Sequence, residues 1–477
     1  YKQWGYDLNQ LWLVLGRQVN QSVIEYPQRH SFVPRNYPMI VPGGRFRESY
    51  YWDTWWIVRG LLVCDMPLTA KYVILNLMDD VTNFGFIPNG GRIYYLDRSQ
   101  PPLLSEMIVS WLDYMGWSSQ NSTEFLQTAY PILKKEYNWW MNPKNNHYYE
   151  LYDSIQQQYY GLNIYHSNET TPRPESYLPD LETAEVEIYS PDWEDITPSQ
   201  AELYRNIRTG AETGWDFSSR WFHPILKNEN PSKFQYNLST IDTTHIIPVD
   251  LNSYMYKFEL NLARIATQVG DNTASEEYQL AANKRKEAIN KFLWNETTFR
   301  WNDYNTTSNH QITSYGPSNT SSISSFIPLW AGLIEASKSN IELQTSILES
   351  LQSTNLIQSA GILTTNINSG QQWDAPNSWP PLVLLIVEGL QLLTISDAST
   401  LANKITSNWL ETCYLAYNKT GYMYEKYNAY EIGVGGGGGE YTPQIGFGWS
   451  NGVSLVMLNY TYSNDNQKKS SNNDDNE

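Results

Sequence analysis

Apolar residues recur at every third or fourth position along most of this chain, and no other feature constrains its fold so strongly. The pattern runs through residues 48–64, 65–84, 103–114 and 122–140. It returns at 199–208, 251–269, 274–292, 324–336, 341–352, 379–393, 398–417 and 451–462. This predicts about twelve amphipathic helices, each with an apolar stripe that must be covered by a neighbour. Strand signals are few and short, so the predicted class is all-α. Helices laid out in pairs fit the two concentric rings of an (α/α)6 barrel, a toroid with long loops at the site. Residues 141–197 carry Pro143, Pro172, Pro174, Pro179 and Pro191 with little periodicity, and read as a long excursion over the surface or over a site.

The chain has 477 residues, and 50 acidic against 32 basic side chains give it a net charge of −18, the wrong sign for a nucleic-acid binder. With 19 Trp and 36 Tyr and only 17% charged residues, it can fill a large core and is not disordered as a whole. The same aromatic rings offer flat faces that stack on sugars. The longest strongly apolar run, 380–387, stops at Glu388, short of the roughly 20 residues that span a bilayer, so no transmembrane segment is predicted. No linker or repeat divides the chain. One catalytic domain is expected over residues 1–463, acting as a monomer, with a disordered polar tail over 464–477. Cys64 and Cys413 are buried thiols or a single staple.

Nine Asn-x-Ser/Thr sequons begin at Asn20, Asn121, Asn168, Asn237, Asn295, Asn305, Asn319, Asn418 and Asn459, of which chance in so Asn-, Ser- and Thr-rich a chain supplies most. Together with the acidic balance and a start at Tyr1 without Met or leader, they predict a secreted or luminal glycoprotein, in a periplasm-like compartment if the source is bacterial.

Gly, Pro, Arg, acids and Trp concentrate in a few loops. PGGRFRESYYWDTWW (42–56) brings Arg45, Glu48, Trp52 and Asp53 to the start of a helix, where acids also suit the helix dipole. IPNGGRIYYLDRSQPP (87–102) supplies Asn89, Arg92, Arg98 and Gln100, and RPESY supplies Arg173 and Glu175; either segment equally fits a solvated loop with surface ion pairs. In GAETGWDFSSRW (210–221), Asp216 lies between Trp215 and Phe217, walls that raise a carboxyl pKa as a general acid requires. A helix-capping Asp is the alternative. QQWDAPNSWPP (371–381) is a further such loop. EKYN (425–428) precedes five consecutive glycines, 435–439, that read as a mobile lid carrying Glu440.

The six histidines form no HxH or HExxH pair, no GxSxG or GxGxxG loop stands out, and no GK[ST] follows the glycine run. Neither a metal nor a cofactor is expected. Carboxylates, arginines and aromatics remain, the inventory of a glycoside hydrolase.

PGGRFRESYYWD, QWDAPNSWPP, GGGGGEY and GFGWSNG resemble, in order, the signature segments and glycine-rich lid of the inverting trehalases, a likeness that spans residues 42–453. The resemblance implies an (α/α)6 barrel that hydrolyses α,α-trehalose to two glucose molecules without a metal. It implies that Asp216 is the general acid and Glu425 the general base. Sugar binding by Arg45, Phe46, Trp52, Asp53, Asn89, Arg98, Gln100, Arg173, Glu175, Trp373 and Glu440 is implied likewise. Another α-glucosidase on the same barrel and a catalytically silent sugar-binding relative are the alternatives. Trp55, where Tyr or Phe is more usual, is expected to reshape a pocket wall, and the family's preceding N-terminal segment is expected to be largely absent. Inversion requires the two carboxyls to stand about 6.5–9.5 Å apart with room for a water. Burial among aromatics for Asp216 and nearby arginines for Glu425 are expected to separate their pKa values, with Asn428 a neutral neighbour of the base.

Overall fold

The computed structural model of the chain describes residues 1–186, 196–223, 225–226, 234–316, 320–334 and 337–474. Among the described residues, twelve helices alternate between two rings: α1 (Lys2–Leu15), α2 (Asp53–Val63), α3 (Pro67–Phe84), α4 (Leu104–Met115), α5 (Gln120–Met141), α6 (Val249–Gln268), α7 (Asn272–Phe292), α8 (Ile327–Trp330), α9 (Ile341–Ser353), α10 (Pro380–Gln391), α11 (Ser396–Thr420) and α12 (Gly448–Asp474). Within the inner ring α2 packs on α4, α4 on α6, α6 on α8, α8 on α10, α10 on α12, and α12 returns to α2. The fold is an (α/α)6 barrel.

Burial explains which helices go inside. The apolar run 380–387 is buried at every position because α10 is an inner helix with neighbours all round. An outer helix such as α3 buries one stripe, Ala70, Val73, Ile74, Leu77, Met78 and Val81, and leaves its other face wet. Among the described residues no helix is long and apolar enough to cross a membrane.

Four sequence readings need correction. The helix expected over 324–336, of which 335–336 lie outside the described residues, is only a 3-10 turn, Ile323–Phe326, followed by α8, because the chain turns at Gly332 with φ +75°. α1 was not anticipated, although Trp4, Leu8, Trp12 and Leu15 form its buried stripe at helical spacing. The excursion 141–197 contains an antiparallel hairpin, Tyr148–Asp153 against Gln158–Asn163, and a short helix, Tyr177–Thr183; residues 187–195 lie outside the described residues. Trp55 is no pocket wall: it is buried beside Trp56 and Trp330, at 5.1 and 5.5 Å between ring centroids, with the Arg59 guanidinium over its face.

Cys64 and Cys413 are both free thiols. α12 is helical to Asp474, past the expected domain boundary at 463, and extending a helix already nucleated costs little even for polar residues. Residues 475–477 of the expected tail lie outside the described residues.

Candidate active site

The loops at one end of the barrel meet because their backbones interlock. A side chain at Gly43 would collide with the carbonyl of Gly446, so the first and last motifs can touch only through glycine. The Arg45 N–H then donates to Gln444 Oε1 at 2.7 Å. Trp52 N–H donates to Gln100 Oε1 at 3.1 Å, and Asn89 Nδ2 donates to the carbonyl of Ala211 at 3.3 Å, which ties the second loop to the first and to the helix Pro198–Glu212. The result is a cavity of about 640 Å³. Its walls include Asp216 and Glu425 together with all eleven residues expected to bind sugar: Arg45, Phe46, Trp52, Asp53, Asn89, Arg98, Gln100, Arg173, Glu175, Trp373 and Glu440.

Asp216 sits on the loop between the helix Pro198–Glu212 and the 3-10 turn Ser219–Trp221, and it is not the cap of that turn, which is Ser218, whose Oγ accepts from Arg220 N–H. Its neighbours hold the loop by stacking. Trp215 lies parallel to Trp373 (5.6 Å, 11°), and Trp373 parallel to Trp379 (3.8 Å, 3°). The carbonyl of Phe217 accepts from Trp373 N–H at 3.0 Å, and that of Asp216 accepts from Gln372 Nε2. Asp374, fully buried, accepts from Ser218 Oγ, Ser219 N, Ser219 Oγ, Thr365 Oγ1 and Ser369 Oγ, and so joins the two loops beneath the pocket. Burial and the charge of Glu440 push the Asp216 carboxyl up to about 7 against the pull of Arg173, with Glu425 adding to the rise.

Glu425 is 1% exposed. Tyr441 OH donates to its Oε1 at 2.8 Å and Gln444 N–H to its Oε2 at 3.4 Å. Burial raises its pKa to about 7, with Lys426, Tyr441, Gln444 and Arg45 opposing. The expected separation of the two pKa values by arginines is therefore not what the pocket shows. Arg45 is solvent-exposed over the Tyr441 ring and exerts the weakest of these opposing effects. Asn428 does not line the pocket; it pairs with Asn377 in a two-residue ribbon. Asp53, the first residue of α2, is raised well above the usual carboxylate range by burial and by Glu425 and Asp216.

Two arginines organise the polar wall. Arg98 pairs with Glu175 and Asp97. Arg173 pairs with Asp180 at 2.7 Å and reaches Glu440 at 2.9 Å. Burial lifts the Glu175 pKa, but Arg98 and Arg173 overcome it and hold it below the usual range.

The glycine run is a tied strap. Gly436 N–H donates to the Lys426 carbonyl (2.8 Å), Gly437 N–H to Asn377 Oδ1 (2.9 Å) and Gly439 N–H to the Gly370 carbonyl (3.1 Å). Gly439 has φ +89°, and a Cβ there would press on Gln372, so close packing explains glycine at that position. Gln372, Asp374, Lys426 and Tyr441 escaped the sequence reading; each adjoins a residue already singled out or lies one step further along its motif. The outer wall also includes Tyr50, Tyr94, Tyr95 and Tyr177. Among the described residues no three His, Cys, Asp or Glu side chains are grouped to hold a metal ion.

The trehalase family model matches residues 1–462. A probable trehalase of Oryza sativa subsp. japonica is 39% identical over 96% of this chain and 78% of its own, and a trehalase of Homo sapiens is 36% identical over 96% and 73%. Among solved structures, the neutral trehalase Nth1 from Saccharomyces cerevisiae superposes with a TM-score of 0.70 at 26% identity, covering 89% of this chain and 74% of that one. A mannosylglycerate hydrolase from Thermus thermophilus, with a TM-score of 0.54 at 16% identity over 92% and 99% of the two chains, shares the barrel. With the family model matched over residues 1–462 and relatives this similar, the chain belongs to the trehalase family.

Proposed function

We infer that the chain hydrolyses α,α-trehalose to two glucose molecules, and we propose that it does so in one inverting displacement, with Asp216 as general acid and Glu425 as general base. The observation that carries this reading is the pairing itself: two carboxyl groups from different loops share one pocket, both pushed up to about 7. Each opposes ionisation of the other, so the pair keeps one proton near neutrality. Glu425 has the donors, Tyr441 OH and Gln444 N–H, with Lys426 and Arg45 nearby, and they favour its charged form. Asp216 faces the charge of Glu440 and keeps the proton. The proton on Asp216 passes to the bridging oxygen as the bond to the anomeric carbon breaks. Glu425 takes a proton from the water that attacks the opposite face.

The eleven other residues hold the two sugar rings. Trp52 and Phe46 supply apolar surface, and Trp373, stacked on Trp215 and Trp379, supplies a ring edge. Arg45, Arg98, Arg173, Asn89, Gln100, Asp53, Glu175 and Glu440 match hydroxyls, and an unmatched polar group in a buried wall makes specificity narrow. Glucose release from trehalose, maltose and kojibiose by the wild type, Asp216→Asn and Glu425→Gln tests the reading. Trehalose is cleaved preferentially and both variants lose turnover; full turnover in either variant refutes its role, and preference for maltose or kojibiose refutes the substrate.

The functional unit spans residues 1–463 and acts as a monomer in a secreted or luminal setting. Exposed sequons at Asn20, Asn121, Asn168, Asn237, Asn418 and Asn459 support glycosylation, whereas Asn295 is half-buried and Asn305 buried, and both side chains cap local turns; Asn319 lies outside the described residues. Mass spectrometry of the native protein with all these asparagines bare, or light scattering that shows a dimer, contradicts these assignments.

A further inference from the structure

Lys426 directly follows Glu425, yet among the described residues its ammonium takes no carboxylate partner. Nζ donates to Gln372 Oε1 at 3.1 Å and to the Gly438 carbonyl at 3.2 Å, 5.1 Å from the Trp379 ring centroid and 5.9 Å from that of Tyr441. The residue is fully buried. An ammonium satisfied only by neutral oxygens and aromatic faces carries a desolvation cost that no ion pair offsets. What it touches explains the placement. Gly438 belongs to the strap that carries Glu440 and Tyr441, Gln372 holds the main-chain oxygen of Asp216, and Lys426 itself continues the backbone of Glu425.

We propose that Lys426 is a positioning residue: its ammonium fastens the glycine strap over the pocket and keeps the neighbouring Glu425 carboxylate ionised, so that a closed strap and a ready base come together. The proposal rests on the assignment of Glu425 as general base. The charged groups around that carboxylate are Asp216 from the acid loop, Asp53 from the start of α2, Arg45 from the first loop and Lys426; Tyr441 bonds it from the strap, and Glu440 stands beyond with Arg173 behind it. Arg45 is exposed and screened by solvent, whereas Lys426 acts from inside, where charges are felt most strongly. Burial lowers the pKa of Lys426 to about 8 against the pull of Glu425 and Asp216, so it remains charged at neutral pH.

The test is the pH profile of kcat/KM on trehalose for Lys426→Gln, Lys426→Met and Lys426→Arg, with folding checked by circular dichroism. Lys426→Gln keeps an N–H donor but no charge, and its acid limb moves up by about one pH unit, as does that of Lys426→Met, should the latter fold. Lys426→Arg leaves the limb where the wild type has it. If the uncharged variants lose activity by the same factor at every pH, with the limb unmoved, the ammonium is only a strut and the proposal is overturned. Glu425→Gln run alongside separates the two failures: retained turnover there removes the base assignment and the proposal with it, while an inactive Glu425→Gln beside an unmoved limb removes the proposal alone.

Discussion

Asp374→Asn tests how the pocket is held in shape. The carboxylate of Asp374 accepts from three serine and threonine hydroxyls at 2.6–3.0 Å, from the Ser219 N–H at 2.8 Å and from Ser369 Oγ, with no access to water. In the amide, one oxygen becomes an NH2 group. With the oxygen kept at the Oδ2 position, where Ser219 N–H and Ser369 Oγ donate, the NH2 faces the three hydroxyls on Oδ1, which must turn to accept, and it has hydrogens for only two of them. Hydrogen bonds to a charged group contribute about 1.5–3 kcal/mol against about 1 kcal/mol for neutral ones, so converting several bonds and stranding one costs roughly 3–5 kcal/mol. Part returns, because burial raises the Asp374 pKa and the neutral amide escapes that desolvation. A net loss of about 2–4 kcal/mol follows. The functional loss is larger than a stability change alone implies, since Ser218 and Ser219 follow Asp216 closely and Trp373 precedes Asp374. A displacement of about 1 Å between acid loop and aromatic wall lowers kcat/KM about 10²-fold. Steady-state kinetics on trehalose with a thermal melt of the same sample measures both. A variant with wild-type kcat/KM and wild-type Tm refutes the reasoning.

Fluoride leaves without a proton, so on α-glucosyl fluoride Asp216→Ala recovers much of the roughly 10²–10⁴-fold loss it shows on trehalose, while Glu425→Ala stays poor on both substrates; rescue of Glu425→Ala instead reverses the roles. Gly439→Ala lowers turnover, because its Cβ would press on Gln372 at a φ of +89°, whereas Gly437→Ala, with nothing within 4 Å of a Cβ there, stays near wild type; equal kinetics in the two variants argue against a packed strap. Glu136, fully buried beneath the Tyr51 hydroxyl, is raised from 4.5 to about 8 by burial. Its folded pKa exceeds its unfolded one, so its contribution to stability is complete below about pH 4.5 and is lost, at about 1.4 kcal/mol per pH unit, as pH rises towards 8. Glu136→Gln flattens that decline in calorimetric Tm between pH 5 and pH 8, and parallel curves for variant and wild type contradict it.

The helices were legible because a ring-shaped fold demands an apolar stripe on every member, and stripes such as that of α3 are written at fixed spacing. α8 was misread because Gly332 ends it after one turn, a break that apolar periodicity does not register. The hairpin 148–163 hid among tyrosines, which suit a strand as well as a wet surface. The thirteen residues that the resemblance implies were legible as part of the lining of one pocket. Their electrostatics were not, since the raised pKa of Glu425 depends on burial by loops distant in sequence, and the exposure of Arg45 is a property of the assembled surface. Lys426 was invisible for a related reason: beside an acid in sequence a lysine reads as its ion-pair partner, and only the fold shows its ammonium turned instead to Gly438 and Gln372.

The most direct test of the central claim is the anomeric form of the first products. Rapid ¹H NMR of trehalose hydrolysis, recorded before mutarotation, reports the configuration at the attacked carbon. With Glu425 delivering water opposite to the bond that Asp216 protonates, one glucose appears as the β anomer and the other as α. Two α anomers would mean retention through a covalent intermediate, and would contradict the assignment of Glu425 as the base that activates water.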